Sequence, residues 1–282
     1  MLITIGRGPA RPLHYGPGSI PSLRDVLPSC VFDLDATQTA SYDGTGQAWR
    51  NLVPVPADGA AQADYDFYLG ASSSAGTDDP SFTGTTGDAA AYFSFDGGDY
   101  FDAVSMPATT LLRNLHRTDS SRPVTLGFAF RTPGTLTQSR LIATANSSAN
   151  HGISFRMNTN GSMDCLQSNA SGSFDQKSIL PNGSLVTNTD YLLFIALNAG
   201  SAGSEKRWVN TTTGSAWSGT FAPLTSSTNS SGACIGAQTG HGNALGNNTR
   251  LYGVYLFNEI LNNTKAAAIF TALNTRHGRS YA

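Results

Sequence analysis

Glutamate is nearly missing from this chain: of 282 residues only Glu205 and Glu259 carry it, in separate segments. Glycoside hydrolysis by two carboxyls held about 5 Å apart therefore has no glutamate pair to draw on. Charge of either sign is also scarce, at 13% of residues against about 25% in an ordinary soluble chain. With a net charge of −2 and Lys and Arg scattered, no long-range field exists to gather nucleic acid. Long apolar runs are absent, none approaching the roughly 18 residues of a spanning helix, so no membrane partner is expected. The start, Met1 to Arg7, has neither the apolar run nor the small-residue cleavage site of a signal peptide. Synthesis in a cytoplasm and a soluble product are the expectation. Cysteine is limited to Cys30, Cys165 and Cys234, an odd number at wide spacing that suits neither a zinc site nor a disulfide framework. They read as reduced core residues. The five histidines are isolated from one another and from cysteine, and no serine sits in a Gly-x-Ser-x-Gly elbow. The chain is expected not to be an enzyme.

What is abundant is Gly, at 30 residues, with Ser, Thr and Asn. Residues 1–28 carry Gly6, Gly8, Pro9, Pro12, Gly16, Pro17, Gly18 and Pro21, which break regular structure. This stretch reads as an extended arm in front of a single domain over residues 29–282. Its apolar side chains, Leu13, Tyr15, Ile20 and Leu23, would be buried if the arm docked on a neighbouring subunit.

The body reads as β-structure. Cys30 to Asp35 alternates as a half-buried strand, with Asp33 and Asp35 on one face. Both aspartates read as strand-edge solvation. A stretch from about 54 to 90, rich in Ala, Gly, Ser and Asp, lacks the apolar content to fold alone and is expected to drape over the rest. Val124, Leu126, Phe128 and Phe130 alternate with Thr125, Gly127 and Ala129. One face of that strand is bulky and the other nearly bare, open to close approach by a backbone or a ligand. Ile153, Phe155 and Met157 repeat the period of two, and Leu192 to Leu197 is the unbroken run of a strand covered on both sides. A short helix is expected over about 108–116. A terminal helix follows an Asn262 or Asn263 cap, with Ala266, Ile269, Phe270 and Leu273 on one stripe and Gly278 at its end. Many short strands with Gly, Asn and Ser turns predict an all-β, two-sheet antiparallel jelly-roll sandwich with a short C-terminal helix.

The order of several motifs narrows this further. Asp33 and Asp35, then Trp49, Phe95-Asp96-Gly97 with Asp99-Tyr100, Trp208-Val209-Asn210, Ile235-Gly236 and Phe257-Asn258-Glu259-Ile260-Leu261 follow one another across about 30–279. That succession resembles the concanavalin A-like lectin and glucanase superfamily, in its laminin-G-like branch. Thr211 stands where that family often has Gly after the Asn. A Gly/Pro arm before such a jelly roll resembles tailed-bacteriophage virion proteins. The resemblance implies a non-enzymatic virion surface subunit, a capsid decoration or cement protein or a tail-associated part, working through contacts with other virion proteins and with itself as a homotrimer. A carbohydrate-binding adhesin for host surface glycans is the alternative, and a polysaccharide hydrolase the second alternative.

Two small sets of residues are candidates for binding. Sugars are held on an aromatic platform flanked by planar amides and carboxylates. Trp217, which looks exposed, and His241, Asn243 and Asn247 in the loop Gly240 to Asn248 supply those groups, against the plainer reading of a Trp in the core and an ordinary Gly/Asn hairpin. No cofactor is expected except that laminin-G-like loops often hold calcium through carboxylates. Asp96 and Asp99, flanking the Gly97-Gly98 turn, are the candidate ligands, against the plainer reading of hydrogen bonds within the turn.

Overall fold

Bulk on one face and almost nothing on the other makes Val124 to Arg131 the central strand of the molecule. The computed structural model describes residues 22–117, 123–145, 151–169, 173–197, 205–217, 221 and 232–281. Among these residues two eight-stranded antiparallel sheets face each other. In the first, the order is β14 (Ser215–Ala216), β13 (Lys206–Val209), β12 (Asp190–Leu197), β7 (Val124–Arg131), β16 (Arg250–Phe257), β5 (Tyr92–Ser94) and β4 (Ser81–Thr83), while β1 (Cys30–Asp35) shares the β5 edge of β16. In the second, the order is β11 (Phe174–Leu180), β10 (Met163–Asn169), β9 (His151–Met157), β8 (Ser139–Ala143), β15 (Cys234–Ile235), β6 (Phe101–Ala103), β3 (Phe67–Leu69) and β2 (Ala48–Trp49). The Gly97-Gly98 turn links β5 to β6 and so carries the chain from one sheet to the other. This is the all-β sandwich expected from the sequence.

The main core lies between the sheets, where Phe93, Phe101, Trp49, Phe128, Phe155 and Leu256 meet. A second core lies on the outer side of the first sheet, beneath α2 (Asn263–His277). The Asn262 side chain accepts from the Lys265 N–H, and Gly278 at φ 55° closes the C-terminus. Ala266, Ile269, Phe270 and Leu273 are buried against Phe194, Tyr255 and Phe257. Cover on both faces explains the unbroken apolar run of β12. It also fills the bare face of β7: Phe194 and Tyr255 lie over Gly127, leaving no room there for a ligand.

Four expectations are corrected. Strand β1 is buried on both faces rather than half-buried, and its aspartates pair with α2 instead of meeting water. The 54–90 stretch contributes β3 and β4, with Phe67 and Leu69 in the main core. Residues 108–116 hold only one 3-10 turn, Leu112–Asn114. The Asn114 amide donates to the Ala108 and Thr110 carbonyls, competing for acceptors a longer helix would need. Finally, the last part of the predicted arm is not extended: α1 (Leu23–Val26) is a helical turn with Leu23 fully buried in the second core. All three cysteines are free and buried.

Candidate functional site

Residues directly opposite on neighbouring strands share a face of a sheet. Tyr68, Asp102, Cys234, Ala143, Ser154 and Leu166 stand opposite one another in succession across β3, β6, β15, β8, β9 and β10. Their neighbours Phe101, Ile235, Ile142 and Phe155 point into the main core, so this row lies on the outer face of the second sheet. A cleft of about 300 Å³ opens on that face, lined by Tyr68, Asp102, Val104, Ala233 and Thr239. The Thr239 hydroxyl is buried and has no hydrogen-bond partner among the described residues.

An aromatic pair stands beside the cleft. The His241 ring stacks on Tyr100 with centroids 3.9 Å apart and planes inclined by 10°. Tyr100 is buried beneath it, while the outer face of His241 is exposed. His241 Nε2 lies 2.8 Å from Asp102 Oδ2, and the Tyr100 hydroxyl donates to Asp78 Oδ2 at 2.7 Å. Each carboxylate thus fixes one ring of the stack. The environments of the two acids differ. Burial raises the Asp102 carboxyl, and the His241 bond and charge pull it part of the way back. The Tyr100 hydrogen bond holds Asp78 below the usual carboxylate range.

The loop that presents His241 is built by tight turns. His241 N–H donates to the Gln238 carbonyl at 2.7 Å, and Gln238 N–H to the Gly242 carbonyl at 3.0 Å. His241 and Asn243 take φ of 62° and 53°, a region in which His and Asn are enriched among side-chain-bearing residues. The Asn243 amide donates to Gln238 Oε1 at 3.1 Å, and its carbonyl accepts from the Arg140 N–H at 3.0 Å. Two planar amides therefore flank the exposed imidazole.

The remaining candidates are placed as follows. Trp217 is buried, as the core reading had it and not as a sugar platform requires: its Nε1 donates to the Ala196 carbonyl at 3.2 Å and its ring packs edge-on to Phe221. A short strand with an exposed Ser215 and Ala216 before it gave no local sign of that. Asn247 is exposed, with its backbone nitrogen against Gly97. It therefore sits beside the turn of Asp96 and Asp99 rather than at the His241 stack. In that turn Asp99 Oδ2 accepts from the Asp96 N–H, and Asp96 Oδ1 from the Gly98 N–H, both at 2.8 Å. Burial pushes the Asp99 carboxyl up to about 6, with the charges of Asp96 and Asp79 adding to it. Among the described residues no group of three or more His, Cys, Asp or Glu side chains is arranged to hold a metal. Asp96 and Asp99 each give one carboxylate oxygen to a turn hydrogen bond, and two carboxylates fall short of the roughly 6–8 oxygen ligands that calcium takes. Leu13, Tyr15 and Ile20 lie outside the described residues, and Leu23 is buried in the chain's own second core, which takes it out of contact with any neighbour.

Tyr100, Asp102 and Asp78 escaped the sequence reading. The alternation of Tyr100 and Asp102 about the apolar Phe101 was the available signal for the first two; Asp78, in a polar loop, gave none.

No family model matches the chain, and no curated protein matches its sequence. Among solved structures it is similar to a mutant of Trypanosoma rangeli sialidase displaying trans-sialidase activity, at 13% identity and TM-score 0.52, over 93% of this chain and 34% of that one. It is also similar to the binding domain of botulinum neurotoxin DC in complex with SialylT, at 13% identity and TM-score 0.53, over 88% of this chain and 52% of that one. The binding domain of botulinum neurotoxin serotype D gives 11% identity and TM-score 0.51, over 86% and 50%. This chain thus spans from about a third to about half of the length of those structures. The likeness is one of fold, an antiparallel β-sandwich.

Proposed function

We propose that this protein binds carbohydrate on the outer face of its second sheet, without turning it over. The observation that carries the reading is the exposed imidazole of His241, stacked on Tyr100 and flanked by Asp102, Gln238 and Asn243 at the edge of the cleft. An aromatic face accepts the apolar side of a sugar ring, and fixed carboxylates and amides satisfy its hydroxyls. The structures it is similar to include a sialidase and a toxin domain in complex with SialylT, which is compatible with this use of the fold. Binding is favoured over hydrolysis because Asp102 and Asp78 are each engaged by one ring of the stack. Neither is poised as a lone acid opposite a second one.

A glycan array followed by calorimetry tests the reading. The wild-type chain is expected to bind a defined set of glycans, and His241→Ala and Asp102→Asn to weaken that binding by about tenfold. Absence of binding to every glycan, or binding that both variants retain, would overturn it. Release of reducing ends from a bound glycan would replace binding with turnover.

We also propose where such a module works: on the surface of a bacteriophage virion, as a capsid decoration or tail subunit in a homotrimer. This is supported by the Gly/Pro-rich residues 1–28 and the sparse charge of the chain. Native mass measurement of the full chain and of a chain lacking residues 1–21 tests it, with a trimer expected for the first and a monomer for the second. A monomeric full chain would remove the arm from this role.

A further inference from the structure

Arg140 is a charged side chain buried to 6% exposure on β8, and two of its guanidinium nitrogens, Nε and Nη1, have no hydrogen-bond partner among the described residues. It stands directly opposite Arg156 on β9, which in turn stands opposite Asp164 on β10. Arg156 and Asp164 lie two positions along their strands from Ser154 and Leu166, so all three side chains share the outer face that carries Asp102. Asp164 is the carboxylate of this patch, and its Oδ2 already accepts from Arg156 Nη2 at 2.7 Å, Asn158 Nδ2 at 2.7 Å and Gln176 Nε2 at 3.0 Å. It makes no hydrogen bond to Arg140. The Arg156 Nε is likewise buried without a partner among the described residues. Two guanidinium groups therefore face one carboxylate, and the excess positive charge is withdrawn from water. Burial and the neighbouring Arg156 charge push the Arg140 guanidinium down to about 10, far above neutral pH, so it stays charged.

A buried guanidinium with unused N–H donors is costly unless something supplies acceptors. We propose that Arg140, supported by Arg156, is a subsite for an oxyanion, the carboxylate of an acidic sugar or the sulfate ester of a sulfated one. Guanidinium groups bind such anions through charge-assisted hydrogen bonds. The Arg140 backbone N–H holds the Asn243 carbonyl, which joins this patch to the loop of His241. Strand β8 lies two strand spacings from β6, roughly 10 Å across the sheet, a span a short oligosaccharide covers. One end of the face is acidic and aromatic, at Asp102, Asp78 and His241; the other is basic, at Arg140 and Arg156. The inference rests on reading this face as the carbohydrate site and adds its specificity: an anionic group on the ligand, read at the Arg140 end.

The test uses the full chain and its Arg140→Gln variant, with Arg140→Met as a check on folding and Arg50→Gln, on the exposed surface, as a charge control. The probes are inorganic sulfate and three oligosaccharides of equal length: a neutral oligogalactose, an oligogalacturonate and a sulfated oligogalactose. Wild-type and Arg50→Gln chains are expected to bind one of the acidic forms about tenfold or more tightly than the neutral one. In Arg140→Gln that preference should fall to within about twofold, with neutral-sugar affinity unchanged. Uronate and sulfate arms identify which source of the anion is preferred. Sulfate should raise the unfolding temperature of the wild type more than that of Arg140→Gln; only the difference counts, because sulfate strengthens burial in any protein. Without anion, Arg140→Met should be at least as stable as wild type.

Equal binding of neutral and acidic forms by the wild type would overturn the anion subsite and leave the carbohydrate reading intact. A sulfate response that depends on Arg140, with no oligosaccharide bound, would support the subsite and overturn the carbohydrate reading. Marked loss of stability in Arg140→Met would mean that the guanidinium serves the chain's own fold, and the proposal would fail.

Discussion

Arg276, near the end of α2, grips Asp33 of β1 with both ends of its guanidinium: Nη1 to Oδ1 at 2.8 Å and Nη2 to Oδ2 at 2.9 Å. Neither side chain is exposed. Asp33 Oδ2 also accepts the Leu23 N–H at 2.8 Å, and Arg276 reaches Asp35 Oδ2 at 3.2 Å. One ion pair thus joins the first strand, the last helix and the helical turn at residue 23. The sandwich that carries the candidate face is closed at its back by this pair, so its loss should be felt by the whole fold.

Breaking a buried pair from one side leaves an uncompensated charge, at a cost of about 3–5 kcal/mol. Arg276→Met is therefore expected to lower stability by that amount, a fall of about 6–20 °C in Tm for a domain of this size. Calorimetric scans of the two chains check it. A variant that melts with the wild type would show that α2 is held by its apolar stripe alone.

Asp35 supplies a pH signature of the same network. Burial by itself would raise its carboxyl, but the charge and hydrogen bond of His277, with the Arg276 charge, outweigh burial and hold it well below the usual range. A carboxyl depressed in the folded state stabilises above its unfolded pKa of about 3.9, and that stability is lost as pH falls toward the folded value. Urea midpoints should drop between pH 4 and 3. In Asp35→Asn the chain should be weaker at pH 7 and the acid drop shallower. An identical acid profile in both chains would show that Asp35 does not carry this dependence.

How much of this was legible follows from how local each signal is. The strand of Val124 to Phe130, the run of Leu192 to Leu197, and α2 with its Asn262 cap and Gly278 stop announce themselves within a few residues. Strands β3 and β4 are three residues each, too short for a period to show. Asp33 and Asp35 looked solvated because their partner Arg276 lies 243 and 241 positions away. The same limit hid the candidate face. His241 and Asn243 were legible from a Gly/Asn loop, whereas Tyr100 met Asp78, and Arg140 met the loop of His241, only when β6, β8 and the loops around residues 78 and 241 were brought together. Trp217 shows the same limit from the other side, because its exposed neighbours do not reveal that Ala196 and Phe221 cover it.

The covered face of β7 gives a prediction about packing. A Cβ at Gly127 would stand 2.6 Å from Phe194 Cδ1 and 3.2 Å from Tyr255 Cδ2. Both rings also pack beneath α2, so neither has free space to yield. Gly127→Ala should cost about 1–3 kcal/mol by overpacking, read as a lower urea midpoint at unchanged slope. Wild-type stability in this variant would mean that the Phe194 ring moves aside freely, and that the contact does not set the distance between β7 and the helix.

Asp99 gives a dependence opposite in sign to that of Asp35. Its carboxyl is 3% exposed and pushed up to about 6, first by burial and then by the charges of Asp96 and Asp79. An acid whose folded pKa is raised contributes stability that is fully present below the unfolded pKa of about 3.9 and is lost as pH rises through the folded value. Near pH 7 the ionised Asp99 therefore weakens the turn between β5 and β6. Asparagine keeps an oxygen to accept the Asp96 N–H and removes the charge. Asp99→Asn should gain about 1–2 kcal/mol over wild type at pH 7.5, and the gain should shrink toward zero at pH 4.5. If the turn instead held calcium, the same substitution would lose stability at pH 7.5, and chelator would lower the wild-type Tm. The turn hydrogen bonds predict that neither calcium nor chelator moves the midpoint of either chain, and thermal scans with and without each reagent decide between the two.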